Sequence, residues 1–334
     1  MSNNRETSDN GAELAEKVAW VQESVTRLKK AIATVIVGLD EVVDGAVIGL
    51  VAGGHVLLEG VPGVGKTLLV RTLADAVDLT CARVQFTPDL MPTDIIGTHV
   101  LVDDGSGGRT FTFEQGPVFT HILLGDEINR ATPKTQSALL EAMQEGSVTV
   151  GRDRFELPKP FFVMATQNPL EMEGTYPLPE AQLDRFMFKL NVPFPSREEM
   201  RVIVERTVQV EELRPDVVMK GEELLEIRRI ALHCPVASHV LDDAISLVEG
   251  THGRLQAARR YLRAGASPRA VQSLIIGAKL RAVFDGRTNV SIDDIRSLAA
   301  AVLRHRIHLN FDAEADGITQ EQVLDEMIAE VQQG

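Results

Sequence analysis

The stretch that decides the fold is His55-Val56-Leu57-Leu58-Glu59 followed by Gly60-Val61-Pro62-Gly63-Val64-Gly65-Lys66-Thr67. Five residues of strand character run into the pattern G-x-x-x-x-G-K-[ST], and a helical pattern opens at Lys66. Glycines let backbone N–H groups turn inward around phosphate oxygens, and the helix N-terminus adds positive potential. Lys66 is placed to reach the β- and γ-phosphates and the Thr67 hydroxyl to bind Mg²⁺. We take Gly60 to Thr67 together with Leu68 as the nucleotide-binding segment. Glu59, just before the loop, either contacts bound water or ends the strand.

Outward from this loop, short apolar strands alternate with helical segments. His55–Glu59, Arg83–Phe86, His121–Asp126, Phe161–Ala165 and Met187–Asn191 read as buried strands, with helices after Lys66 and Pro133. Such alternation indicates an α/β fold with a parallel sheet sandwiched between helices. Two hairpin signals interrupt it: Thr98–Val102 with Arg109–Phe113 around the turn 103–108, and Ser147–Val150 with Arg154–Leu157 around 151–153. Past Pro193 and Pro195 strand signals vanish, and 197–210, 222–232, 237–249, 268–284 and 292–305 read as helices. Before the loop, Leu14, Val18, Val21, Val25, Leu28, Ile32 and Val35 repeat at helical spacing. The expected organisation is a flexible tail over 1–11, an α/β nucleotide-binding core with an N-terminal helix over 12–195, and a smaller all-helical domain over 196–334.

Two further strand ends carry polar groups. Ile122-Leu123-Leu124-Gly125 ends in Asp126 and Glu127. There Asp126 is expected to hold Mg²⁺ through water and Glu127 to orient and polarise the attacking water. Phe161 to Ala165 leads into Thr166-Gln167-Asn168, and Asn168 is placed to bond the attacking water or the γ-phosphate.

Composition narrows the alternatives. The 334 residues carry 34 Lys+Arg against 48 Asp+Glu, a net charge of −14, which repels nucleic-acid backbones and anionic lipid. Cys81 and Cys234 are too few for a disulfide framework or a metal knuckle. The polar start lacks a signal-peptide core, and the apolar stretch Val42 to Leu58 is broken by Asp44 and His55. A reduced, cytoplasmic chain without membrane insertion is expected. His305 and His308 stand three apart without a third ligand nearby, so a helix-surface role is expected for both.

The order of Gly60–Thr67, Asp126-Glu127-Ile128-Asn129-Arg130, Ala165–Pro169 and Leu178-Pro179-Glu180-Ala181-Gln182-Leu183-Asp184-Arg185-Phe186 resembles the MoxR family of AAA+ ATPases. Gly265-Ala266-Ser267-Pro268-Arg269-Ala270 and Leu303-Arg304-His305-Arg306 extend the likeness over about residues 30–330. Gly125 departs from the larger residue usual there, and the stretch from Gly250 to Ala264 is unlike the usual helix–helix connection.

The resemblance implies a P-loop NTPase core with a five-stranded parallel sheet, helices on both faces, two β-hairpin inserts and a helical lid. It implies ATP and Mg²⁺ as cofactors, with catalytic roles for Glu127, Asn168, Arg185 and Arg269. Arg185 corresponds to the arginine finger reaching a neighbouring subunit's nucleotide, and Arg269 to a lid sensor contacting the γ-phosphate in cis. Arg130 is either an interface residue or a helix cap. A finger supplied in trans implies a homo-oligomeric ring, in this family of six subunits, with the hairpins facing the pore or client. The function implied is ATP hydrolysis that remodels, activates or matures protein clients carrying a von Willebrand factor A domain. The alternatives are a nucleotide-gated scaffold with slow hydrolysis, or the motor of a chelatase-like or nucleic-acid-acting complex. The last is opposed by acidic Asp103 and Asp104 at the first hairpin's tip.

Overall fold

The computed structural model describes residues 3–103, 108–169, 174–208 and 213–333. The turn containing Asp104 lies outside them. Five strands, β1 (His55–Glu59), β2 (Cys81–Gln85), β5 (Ile122–Asp126), β8 (Phe162–Gln167) and β9 (Phe186–Asn191), form one sheet in the order β2-β5-β8-β1-β9. All neighbours are parallel, as the alternation of strands and helices requires. Each central strand is apolar on both sides. In β1, Val56 and Leu58 pack into the core beneath one layer of helices while Leu57 packs into a second core on the opposite face.

The first layer holds α1 (Asn3–Ala33), α2 (Asp40–Ala52) and α3 (Lys66–Ala76); the second holds α4 (Pro92–Ile96) and α5 (Pro133–Glu145). Helix α1 reaches back through the expected tail, so the backbone from Asn3 is helical. A helix already anchored by Val18, Val21, Val25, Leu28 and Ile32 propagates at little cost, one bond per residue added. Gly125 is accounted for by packing: Phe86 and Leu139 come within 3.3 and 3.4 Å of where its Cβ would stand.

The hairpins are β3 (Gly97–Asp103) with β4 (Arg109–Gln115) and β6 (Ser147–Val150) with β7 (Asp153–Glu156). They are joined to each other. Phe113 of the first stacks on Phe155 of the second at 4.0 Å between ring centres, and Phe119 meets both edge-on. His99 and Asp153 add a contact at 3.7 Å.

After the short α6 (Glu180–Leu183) and β9 come α7 (Arg197–Thr207), α8 (Gly221–Leu232) and α9 (Ser238–Glu249). Residues 250–264 hold a π-type turn at Gly250–Arg254, α10 (Gln256–Tyr261) and strand β10 (Leu262–Ala264). The rest is α11 (Pro268–Phe284), α12 (Ile292–Leu303), β11 (His308–Leu309), α13 (Phe311–Ala315) and α14 (Gln320–Gln333), with β10 and β11 antiparallel. Helix α11 packs on α1 and α2, so the C-terminal helices share the first core. No helix among the described residues is long and apolar enough to cross a membrane.

His305 is buried beside β9, not on a helix surface, which corrects the sequence expectation. Its Nε2 bonds the Phe186 carbonyl at 3.0 Å, and burial holds its pKa well below the usual value. Its neighbours act alike: Arg304 donates to the Lys189 carbonyl at 3.1 Å and Arg306 to those of Phe186 and Met187 at 2.7 and 3.2 Å. The outer edge of the sheet is thus closed by three consecutive side chains. His308 lies in β11, 3.6 Å from Glu180, and no metal-binding cluster occurs among the described residues.

Candidate nucleotide site

The loop from Gly60 to Gly65 joins the carboxyl end of β1 to α3, where ligands of open α/β sheets bind. Gly63 and Gly65 take φ of +83° and +88°, which only glycine adopts freely, and Gly65 caps α3. At Gly60 a Cβ would stand 2.8 Å from the Val192 carbonyl, so glycine is needed there for a close approach. Lys66 donates to the Gly60 carbonyl across the loop. Burial lowers its pKa, while Asp126, Glu127 and Glu59 act to raise it. Glu59 itself pairs with Lys189 at 2.8 Å, tying β1 to β9.

Asp126 and Glu127 follow on the strand end two places away in the sheet. One Asp126 oxygen accepts from the Thr166 hydroxyl at 2.6 Å, and the other pairs with Arg83 at 2.7 Å. The same Thr166 hydroxyl accepts from the Glu127 backbone N–H at 2.8 Å. Among the described residues Glu127 is one of two non-glycine residues with positive φ, at 57°, a strained conformation that such sites often carry. Its carboxylate takes Gln85 Nε2 at 2.8 Å and Arg130 Nη1 at 3.0 Å. Arg130 therefore serves Glu127 here. Asn168 lies buried at the end of β8, between these acids and the loop in the strand order. The loop, Asn168 and the two acids thus follow the carboxyl ends of three successive strands, β1, β8 and β5.

Sequence reading missed Arg83, Gln85 and Thr166, whose residue types carry no signal until the sheet sets β2 and β8 beside β5. It also missed the base-sized cavity. Beside the loop lies a space of about 440 Å³, between the turn Val35–Leu39, Pro62 to Leu68, and Phe194 with Met200, Ile203 and Val204. Arg206 closes its rim by donating to the Ala33 and Thr34 carbonyls at 3.1 and 2.9 Å. An apolar slot abutting phosphate-binding backbone is suited to a nucleotide base.

Arg185 and Arg269 stand elsewhere. Both line a cleft of about 320 Å³ bordered by Gly53, Gly54 and His55, at the amino end of β1. β1 has five residues, about 16 Å of strand, between that cleft and the loop. Arg269 therefore does not take the expected cis position on its own loop; α11 starts beside Arg185 instead. It lies 3.6 Å from Asp184. Arg185 has no hydrogen bond or ion pair from its side chain among the described residues, although acids are near. Asp184 is occupied by Arg306 at 2.9 Å and Ser267 at 2.8 Å, and Glu180 by Arg263 at 3.0 Å.

Comparison with known proteins agrees with this geometry. Residues 55–188 match the family described as ATPase family associated with various cellular activities (AAA), and 254–327 match the AAA lid domain. The chain is 44% identical to Chaperone MoxR1 of Mycobacterium tuberculosis, over 98% of this chain and 86% of that one. This chain belongs to the MoxR family of AAA ATPases. It is also 33% identical to Protein MoxR of Methylorubrum extorquens, over 86% of this chain and 88% of that one. A crystal structure of a Cytophaga hutchinsonii protein superposes with a TM-score of 0.88 at 39% identity, covering 96% and 98% of the two chains. Membership of this family implies nucleotide binding.

Proposed function

We propose that this chain hydrolyses ATP with Mg²⁺ in a homo-oligomeric ring, six subunits by family resemblance, and uses the cycle to remodel or mature partner proteins. In this reading residues 12–195 form the nucleotide-holding body and 196–334 the lid. The base occupies the apolar cavity and the phosphates lie along the loop under Lys66. The donors offered by Thr67 and Asp126 are hard oxygens, which suit Mg²⁺. Bound there, the ion would neutralise phosphate charge. Glu127 orients and deprotonates the attacking water, and Asn168 holds that water or the γ-phosphate from the neighbouring strand.

The observation that carries the ring is Arg185: a guanidinium without an ion pair among the described residues, lining a cleft at the opposite end of β1 from its own phosphate loop. It serves the nucleotide of an adjoining subunit, and Arg269, in the same cleft, joins it in trans. An arginine so supplied is worth about 10³–10⁵ in rate. The relative named a chaperone supports a protein client, for which a von Willebrand factor A domain protein is our candidate. By its resemblance to the family, we place the work in the cytoplasm.

The test is complementation. Arg185→Ala should fold, bind ATP and turn over poorly, and mixing it with Lys66→Ala should restore activity, each supplying the half the other lacks. Absence of rescue in assemblies verified as mixed would refute the shared site. Capture of partners on Glu127→Gln with ATP, compared with ADP, then identifies the client.

A further inference from the structure

Resting on the shared-site reading, the arrangement around Asp184 says how the two arginines are presented. Arg306 is buried, and every N–H direction of its planar guanidinium is used. Nε donates to Asp184 Oδ1 at 2.9 Å and Nη2 to the Asp184 carbonyl at 3.3 Å. Nη2 also donates to the Phe186 carbonyl at 2.7 Å, and Nη1 to those of Met187 and Val302. The residues on both sides of Arg185 are therefore fixed by one side chain that is itself locked in the interior.

Asp184 carries the link onward. Its carboxylate accepts from the Ser267 hydroxyl at 2.8 Å, and Ser267 caps α11 by accepting from the Arg269 N–H at 3.2 Å. Arg269 lies in the first turn of α11 and also reaches the same carboxylate at 3.6 Å. One carboxylate thus joins the segment bearing Arg185 to the helix bearing Arg269. Arg306, Ser267 and Arg269 all engage this carboxylate, and the Arg185 side chain makes no hydrogen bond or ion pair with it among the described residues.

We propose that Asp184, held by Arg306, is a positioning residue: it sets the spacing of Arg185 and Arg269 so that both are delivered as one unit to the phosphates on a second copy of this chain. Its role belongs to the subunit that donates the arginines and not to the subunit that holds the nucleotide. A residue needed only for folding would not show that asymmetry.

The test uses full-length chains in mixed assemblies, with ATP turnover as the readout. Arg185→Ala provides intact phosphate loops that need arginines. Lys66→Ala provides arginines without nucleotide and should restore turnover. Lys66→Ala carrying Asp184→Asn should restore about 100-fold less, the size of loss that misplacement by about 1 Å can cause. In the opposite role, Asp184→Asn alone should be slow but recover when mixed with Lys66→Ala, because its own loop is intact. Ser267→Ala, a milder change to the same link, should weaken donation by about tenfold when combined with Lys66→Ala, as expected for one hydrogen bond to a charged acceptor, and it decides the matter if Asp184→Asn does not fold. If plain Lys66→Ala fails to rescue Arg185→Ala, the shared site itself is wrong. If it rescues, and the Asp184 and Ser267 variants donate as well as it does, the shared site stands and the positioning role is refuted.

Discussion

Replacing Thr166 by Val should damage both acids of the site at once. Thr166 is fully buried, and its hydroxyl both donates to Asp126 at 2.6 Å and accepts from the Glu127 N–H at 2.8 Å. Val keeps the shape and removes both bonds. A hydrogen bond to a charged acceptor contributes about 1.5–3 kcal/mol, and a buried N–H left unpaired costs about 1–3 kcal/mol. Because the two share one hydroxyl they do not add fully, and a loss of roughly 2–4 kcal/mol is expected. Melting should fall by about 3–6 °C. Turnover should fall further than stability alone explains, by about 100-fold, since Asp126 and Glu127 both lose a fixed contact. Nucleotide affinity, set largely by the loop and the apolar cavity, should change far less. Thr166→Ser restores the hydroxyl and should recover most of both losses. Melting curves and steady-state turnover of the three proteins suffice. A Val variant that melts and turns over like the parent would show that the hydroxyl bridge does not organise the acids.

Lys66→Ala should abolish nucleotide binding in a fluorescent-nucleotide titration, whereas Glu127→Gln should bind normally and lose about 10²–10⁴ in turnover. Acid should destabilise the protein between pH 6.5 and about 4, because burial lowers the pKa of His55 to about 4 while the unfolded chain takes its proton near 6.5. That gap is worth roughly 3 kcal/mol, present above pH 6.5 and lost as pH falls through the window; His305 acts in the same sense. His55 accepts from the Val163 N–H and bonds the Met143 carbonyl, roles a glutamine can fill without titrating, so His55→Gln should flatten the dependence of melting on pH. Phe113→Ala removes the stack between the hairpins; hydrogen exchange in 97–103 and 109–115 should accelerate while turnover without a client stays near normal.

Much of this was legible because strands buried on both faces are written as unbroken apolar runs. His55–Glu59 matches its strand residue for residue, and 268–284 matches α11, bounded by Ser267 and Pro268. The phosphate loop was readable because its glycines answer a local demand of the backbone. What could not be read depends on juxtaposition. Thr166 and Gln85 acquire roles only when parallel pairing sets β8 and β2 beside β5. His305 looked like a surface residue because nothing in the chain tells that the residues after α12 fold back onto β9. The position of Arg269 failed for the same reason: motif order fixes which helix carries it, but not the end of the sheet at which that helix starts.

The closure of β9 has a consequence for how copies of this chain can meet. An open strand edge invites a further strand from another molecule, a route to fibres. Here Arg304, His305 and Arg306 occupy carbonyls along that edge, so a neighbour must dock through side chains in contacts that can open and close. The protection is held by the C-terminal helices. Removing the chain after α11 should strip three side chains from the edge, and the truncated protein should grow cross-strand aggregates rather than merely lose activity.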